Sequence, residues 1–206
     1  MLKKILLVFV VLILSFVGYV STKPSEYRYE RALVIAAPAD VIFPFVNTQK
    51  EWEKWSPWAD QDPDMKISYE GAESGVGSIV TWEGNSKVGK GSSTITESVP
   101  FDRVVFALDF VEPMAGKSTV TFTFSPTVEG TKVTWAMEGK AGFAAKAMSV
   151  IMDCGDICTS MMSKGLKKLA AVATADVAAK AAAIASEAAE AAKALDEKAE
   201  EAPAKE

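Results

Sequence analysis

An α+β fold, a curved antiparallel sheet wrapped around a long C-terminal helix, is predicted for the middle of this chain by three observations. Between residues 65 and 138 apolar and polar side chains alternate with period two, interrupted by turn residues at short spacing. The connections are too short for crossover helices, which favours an antiparallel meander. Directly afterwards an apolar stripe, Phe143, Ala147, Met148, Ile151, Met152, Met161, Met162, Leu166 and Leu169, supplies a helical cover for the apolar face of that sheet.

The first element is a membrane segment. Of the 206 residues, 49% are hydrophobic, but they are unevenly spread. Lys3 and Lys4 precede residues 5–22, which carry no charge. Eighteen residues at 1.5 Å each make about 27 Å of helix, enough for a hydrocarbon core, and the lysines would stay in the cytoplasm. A cleaved signal peptide is the alternative, but the exit Gly18–Thr22 has no Ala-x-Ala-like site and no cysteine follows it. The expectation is a single-pass anchor, residues 1–24, in a bacterial inner membrane with the rest of the chain on the extracytoplasmic side. Cleavage would leave a periplasmic or secreted domain instead.

Residues 25–170 are about the size of one domain. Tyr27–Ile35 is predicted as a first strand, and Ala37–Phe43 as a helix with Pro38 in its first turn, shortened or kinked at Pro44. Lys50–Trp55 forms a second short helix, ended by Ser56-Pro57-Trp58. Six strands follow, at Met65–Tyr69, Ser78–Glu83, Lys87–Glu97, Arg103–Phe110, Ser118–Phe124 and Thr131–Glu138. Val120, Phe122 and Phe124 lie opposite Thr119, Thr121 and Thr123, and Val133, Trp135 and Met137 opposite Thr134 and Ala136, so one sheet face is apolar and the other wet. Strand, two short helices, six strands and a long helix is the order of a helix-grip fold.

The last segment, residues 171–206, has sixteen alanines among positions 171–202 and few large apolar residues, Val177, Ile184 and Leu195 among them. Strong helix propensity without a sustained heptad predicts a solvated helical extension ending in a disordered Glu/Lys/Pro tail. A partner-binding helix over residues 175–202 is the alternative.

Residues 36–43 (AAPADVIF), 52–58 (WEKWSPW) and 75–91 (GVGSIVTWEGNSKVGKG) resemble bacterial proteins of the polyketide cyclase/dehydrase and lipid-transport group, within the START-like (SRPBCC) superfamily. The resemblance spans about residues 25–170; Pro44 inside the first helix and the Ala-rich extension depart from it. It implies a cavity between sheet and helix, used across the superfamily for lipid carriage, hormone binding, polyketide cyclisation and dioxygenase chemistry.

If the cover helix stands off the sheet, the inward residues line that cavity. The ligand-binding set is then Trp82, Phe106, Leu108, Phe122, Phe124 and Trp135 from strands, Met148, Met152 and Met162 from the helix, and Trp55 and Trp58 from the Trp52/Trp55/Trp58 cluster. The same side chains could instead form a dry core, with the tryptophans plugging one end of the sheet rather than rimming a portal.

The chain has no histidine. Ser-His-Asp and Cys-His nucleophiles, His-ligated metals and an imidazole base are therefore excluded. Cys154 and Cys158, four apart on one helical face, suit neither a disulfide nor a zinc site. Of the carboxylates, Asp109 and Glu138 fall on the wet face, Asp153 and Asp156 have the spacing of a solvated helix face, and Glu97 has no evident partner. No catalytic residue, metal or cofactor is predicted; a cyclase or dehydratase using cavity carboxylates stands as the alternative. The net charge of −5 contains no basic patch, so no nucleic-acid partner is expected. The expected partners are a hydrophobic small molecule or lipid, and the membrane through residues 5–22.

Overall fold

The computed structural model describes residues 2–200. The expected disordered end, residues 201–206, lies outside the described residues. The elements are α1 (Leu2–Ser21), β1 (Glu26–Ile35), α2 (Ala39–Asn47), a 3-10 helix (Gln49–Lys54), β2 (Lys66–Gly71), β3 (Ser78–Glu83), β4 (Lys90–Val99), β5 (Arg103–Glu112), β6 (Gly116–Thr127), β7 (Gly130–Lys140), α3 (Phe143–Ile151) and α4 (Cys154–Glu200).

The seven strands form one antiparallel sheet in the order β1-β7-β6-β5-β4-β3-β2. Strands β2 to β7 follow one another as hairpins, and β1 joins the outer side of β7, pairing Glu26 with Lys140 and Ile35 with Thr131. A bulge at Thr96, between Ile95 and Glu97, adds bend to β4. The period-two faces are those of the sequence: Val120, Phe122, Phe124, Val133 and Trp135 are buried, while Thr119 and Lys132 face water.

The concave face carries the core. Its centre is aromatic: Trp52 and Trp55 lie 4.5 Å apart between ring centroids, and Phe122 and Trp135 4.8 Å. Met162, Leu166, Leu169 and Ala173 of α4, each nearly fully buried, close it from above together with Ile42 and Val46 of α2. Pro44 stays inside α2, on its exposed side, and the helix ends one turn later at Asn47.

The single long cover helix read from the apolar stripe is in fact two helices. Met152 is extended (φ −123°, ψ 135°), and the Asp153 carboxylate accepts the Asp156 backbone N–H at 2.9 Å, the cap that starts α4. Apolar periodicity runs across this break because α3 and α4 each expose or bury a stripe of their own. Of the two, α4 packs on the core, whereas α3 has no buried residue and touches α1.

Beyond Val177 the α4 helix leaves the sheet, and every residue from Ala178 to Lys193 is exposed. Two helices are long and apolar enough to cross a membrane, α1 and the stretch Cys154–Lys193 of α4. The N-terminal turns of the latter are the cover of the core.

Candidate functional site

The concave face is not filled along its whole length. Cross-strand register arranges its side chains in rows. Val104, Phe122 and Trp135 form one row, and Ile95, Phe106, Val120 and Met137 the next. Ser93, Leu108 and Ser118 follow, with Phe110 beyond them. The first row is sealed by the 3-10 helix and α4. From Val120 and Met137 onward the cover stands away, leaving a cavity of about 520 Å³. That volume is in the range of small-molecule sites.

Local chemistry explains why one end is plugged. The last carbonyls of a helix have no partner within it. The indole N–H of Trp52 donates to Val46 O and that of Trp55 to Phe45 O, both at 2.9 Å, so the tryptophans close the C-terminus of α2 while their rings fill the core. The next segment is held to α4: Asp60 bonds Lys164 at 2.9 Å and Lys168 at 3.0 Å, which keeps its carboxyl below the usual carboxylate range. This fastening sets Trp58 against the cavity.

The walls are mainly apolar, from Met65, Ile67, Val80, Leu108, Val120 and Met137. Two aromatic side chains reach over glycines. A Cβ on Gly91 would meet Trp82 at 2.6 Å, and one on Gly139 would meet Tyr27 at 2.6 Å, so the missing side chains are what let these rings line the wall.

Several polar groups at the cavity are paired. The Tyr27 hydroxyl and Ser118 Oγ are 2.7 Å apart. Gln49, buried, reaches Ser78 Oγ at 3.3 Å. At the rim the Tyr69 hydroxyl donates to Glu53 Oε1 at 2.7 Å. Burial and then this carboxylate hold the Tyr69 phenol protonated well above the usual tyrosine range. Burial likewise pushes the Cys158 thiol up to about 11, so it stays a thiol at neutral pH. One buried donor, Trp135 Nε1, has no partner among the described residues.

Of the residues expected to bind ligand, Trp58, Trp82, Leu108, Trp135 and Met162 line the cavity. Trp55, Phe106, Phe122 and Phe124 lie instead in the packed core beside it, almost wholly buried. Met148 and Met152, 38% and 49% exposed, stand on or beside α3 and away from the wall, because the cover helix breaks before α4. Sequence reasoning missed Tyr27, Gln49, Glu53, Ile67 and Tyr69. The signal for two of them was present, since Met65, Ile67 and Tyr69 alternate in a predicted strand.

The carboxylates weighed for catalysis lie elsewhere. Asp109 pairs with Lys117, Glu138 with Arg28 and Glu97 with Arg103, and Asp153 is the α4 cap. Among the described residues no group of three or more His, Cys, Asp or Glu is placed to hold a metal ion.

Comparison with known proteins follows from this geometry. A protein from Chromobacterium violaceum superposes with a TM-score of 0.53 at 19% identity, covering 73% of this chain and 98% of that one. The Aha1 dimer from Colwellia psychrerythraea gives 0.50 at 18%, covering 69% and 92%. The di-domain ARO/CYC StfQ from the steffimycin biosynthetic pathway gives 0.51 at 14% and covers 77% of this chain, which spans about half, 52%, of that one. At these identities the likeness is one of fold, a helix grip. No curated protein matches the chain. The family model described as "Polyketide cyclase / dehydrase and lipid transport" matches residues 27–174, which include every strand, the cavity and the covering turns of α4. With most of its length matched, the chain belongs to the polyketide cyclase/dehydrase and lipid-transport family.

Proposed function

We propose that this chain is a membrane-anchored, extracytoplasmic module that binds a hydrophobic small molecule or lipid in the cavity between sheet and helix. The observation that carries the reading is a 520 Å³ space walled mainly by apolar and aromatic side chains, with two polar pairs, Tyr27–Ser118 and Tyr69–Glu53, on its wall. Such a surface gains free energy by excluding water, about 25 cal/mol per Å² of apolar area covered. The apolar α1, uncharged from Ile5 onward, supports placement beside lipid. The protein partner considered for residues 175–202 has no supporting observation: from Ala178 to Lys193 the helix presents alanines and scattered charges to solvent.

The test is native mass spectrometry of the full chain released from membranes. An apolar molecule should travel with the wild type and be carried less in Leu108→Trp, which puts a bulky ring into the cavity. A wild-type spectrum without any adduct would overturn the reading.

One observation favours a second reading, an enzyme of the cyclase kind: the Tyr69–Glu53 pair at the rim offers a protonated phenol beside a carboxylate. Glu53→Gln separates the two, since a binding module would keep its ligand and an enzyme would lose turnover.

A further inference from the structure

The strand register that closes the sheet also fixes where the cavity lies relative to the anchor. Glu26 pairs with Lys140, so the residue before β1 and the residue after β7 are neighbours, and the Ala141 N–H donates to Ser25 O at 2.6 Å. Only residues 22–25 separate α1 from β1, a span of about 14 Å even when fully extended. Helix α3 begins two residues after Ala141 and therefore cannot leave the end of α1. The two helices touch, and Val20 of α1 is fully buried.

Helix α3 is apolar on the outside. Phe143, Ala147 and Ile151 recur every fourth residue on one face. Phe143 is 50% exposed and Ile151 73%, and Met152 and Ile157 continue the patch. Contiguous exposed apolar surface of this kind marks a place of contact. The other side of α3 belongs to the cavity, which Ala145 and the preceding Gly142 line together with Met114 from the β5–β6 connection and Lys117 at the start of β6. At the level of the anchor's exit, Lys23 sits 4.4 Å over the Tyr19 ring, a pairing of residue types favoured at the membrane surface.

We propose that α3 is an interfacial helix lying on the bilayer that α1 crosses, so that the cavity opens beside α3 onto lipid. This rests on the anchor reading above. The Phe143/Ile151 face enters the acyl boundary, to a depth of about 5–10 Å for helices of this type, and a lipid or apolar molecule passes between bilayer and cavity without crossing water.

The experiment uses the full chain in nanodiscs of phosphatidylethanolamine and phosphatidylglycerol. Single nitroxide labels are placed at Phe143→Cys, Ile151→Cys, Leu12→Cys and Val128→Cys in a Cys154→Ser, Cys158→Ser background. Leu12 reports the anchor, and Val128, fully exposed in the β6–β7 turn, reports water. The expected result is collision with oxygen several-fold greater than with a nickel chelate at Leu12, Phe143 and Ile151, and the reverse at Val128. A lipid-like Leu12 with Phe143 and Ile151 as open to nickel as Val128 overturns the docking and leaves the anchor standing. Nickel access at Leu12 overturns both. Labels at Phe143 and Ile151 shielded from both reagents show a second protein copy on this face and overturn the proposal as well.

Discussion

Gly165 sits where α4 crosses the core. A Cβ there would meet Trp135 Cζ3 at 2.8 Å and Pro57 Cδ at 3.1 Å. Alanine would gain about 1 kcal/mol in helix propensity. Overpacking a rigid indole and a proline ring costs about 1–3 kcal/mol, so the clash wins. Gly165→Ala is therefore expected to lower stability, read as a smaller denaturant midpoint with an unchanged m-value. Tyr69 makes a pH prediction. Its folded pKa is raised by burial and by Glu53, so the folded state holds the proton more tightly than the unfolded one. The stability this contributes is fully present below the unfolded value of about 10 and is lost as pH rises above it. Alkaline unfolding followed by circular dichroism should fall more steeply for the wild type than for Tyr69→Phe. Neither residue stood out in the sequence: glycine in a helix reads as a weak point, and the Tyr69–Glu53 contact joins residues sixteen apart through tertiary packing.

At the scale of elements, the two-part cover is the feature that periodicity could not show. Asp153 caps α4 between two apolar stripes, yet both halves repeat at helical spacing and so read as one helix, with Asp153 on its solvated face. Asp153→Ala removes the cap on α4 and should cost about 1 kcal/mol in chemical denaturation, with the apolar core unchanged. The long α4 divides in the same way. Its last fully buried residue is Ala173, and Val177 packs at the edge. Truncation after Lys180 should leave the thermal midpoint of the domain unaltered. Truncation after Lys164 removes Leu166 and Leu169, each worth about 2–5 kcal/mol, against a total stability of about 5–15 kcal/mol. The shorter chain should show no cooperative transition.

For the whole molecule, the helix-grip architecture was legible because alternation assigns faces and turn residues assign connections, and both survive in the strand register from Val104–Phe122 to Phe110–Gly116. What alternation does not assign is depth along a strand. Phe106 and Leu108 share a face of β5, yet Phe106 is buried under the plug and Leu108 opens on the cavity. The difference is set by how far Trp52 and Trp55 reach from the far side of the chain, a distance no single strand contains. The same plug has an optical consequence. Trp52, Trp55 and Trp135 lie with centroids 4.5–5.9 Å apart, close enough for their excited states to couple and give a far-ultraviolet dichroic couplet. Trp58 and Trp82 stand on the cavity wall, where emission wavelength follows local polarity. The clustered indoles thus gauge the packing of the core, with Trp52 and Trp135 at its border with the cavity, and Trp58 and Trp82 gauge occupancy.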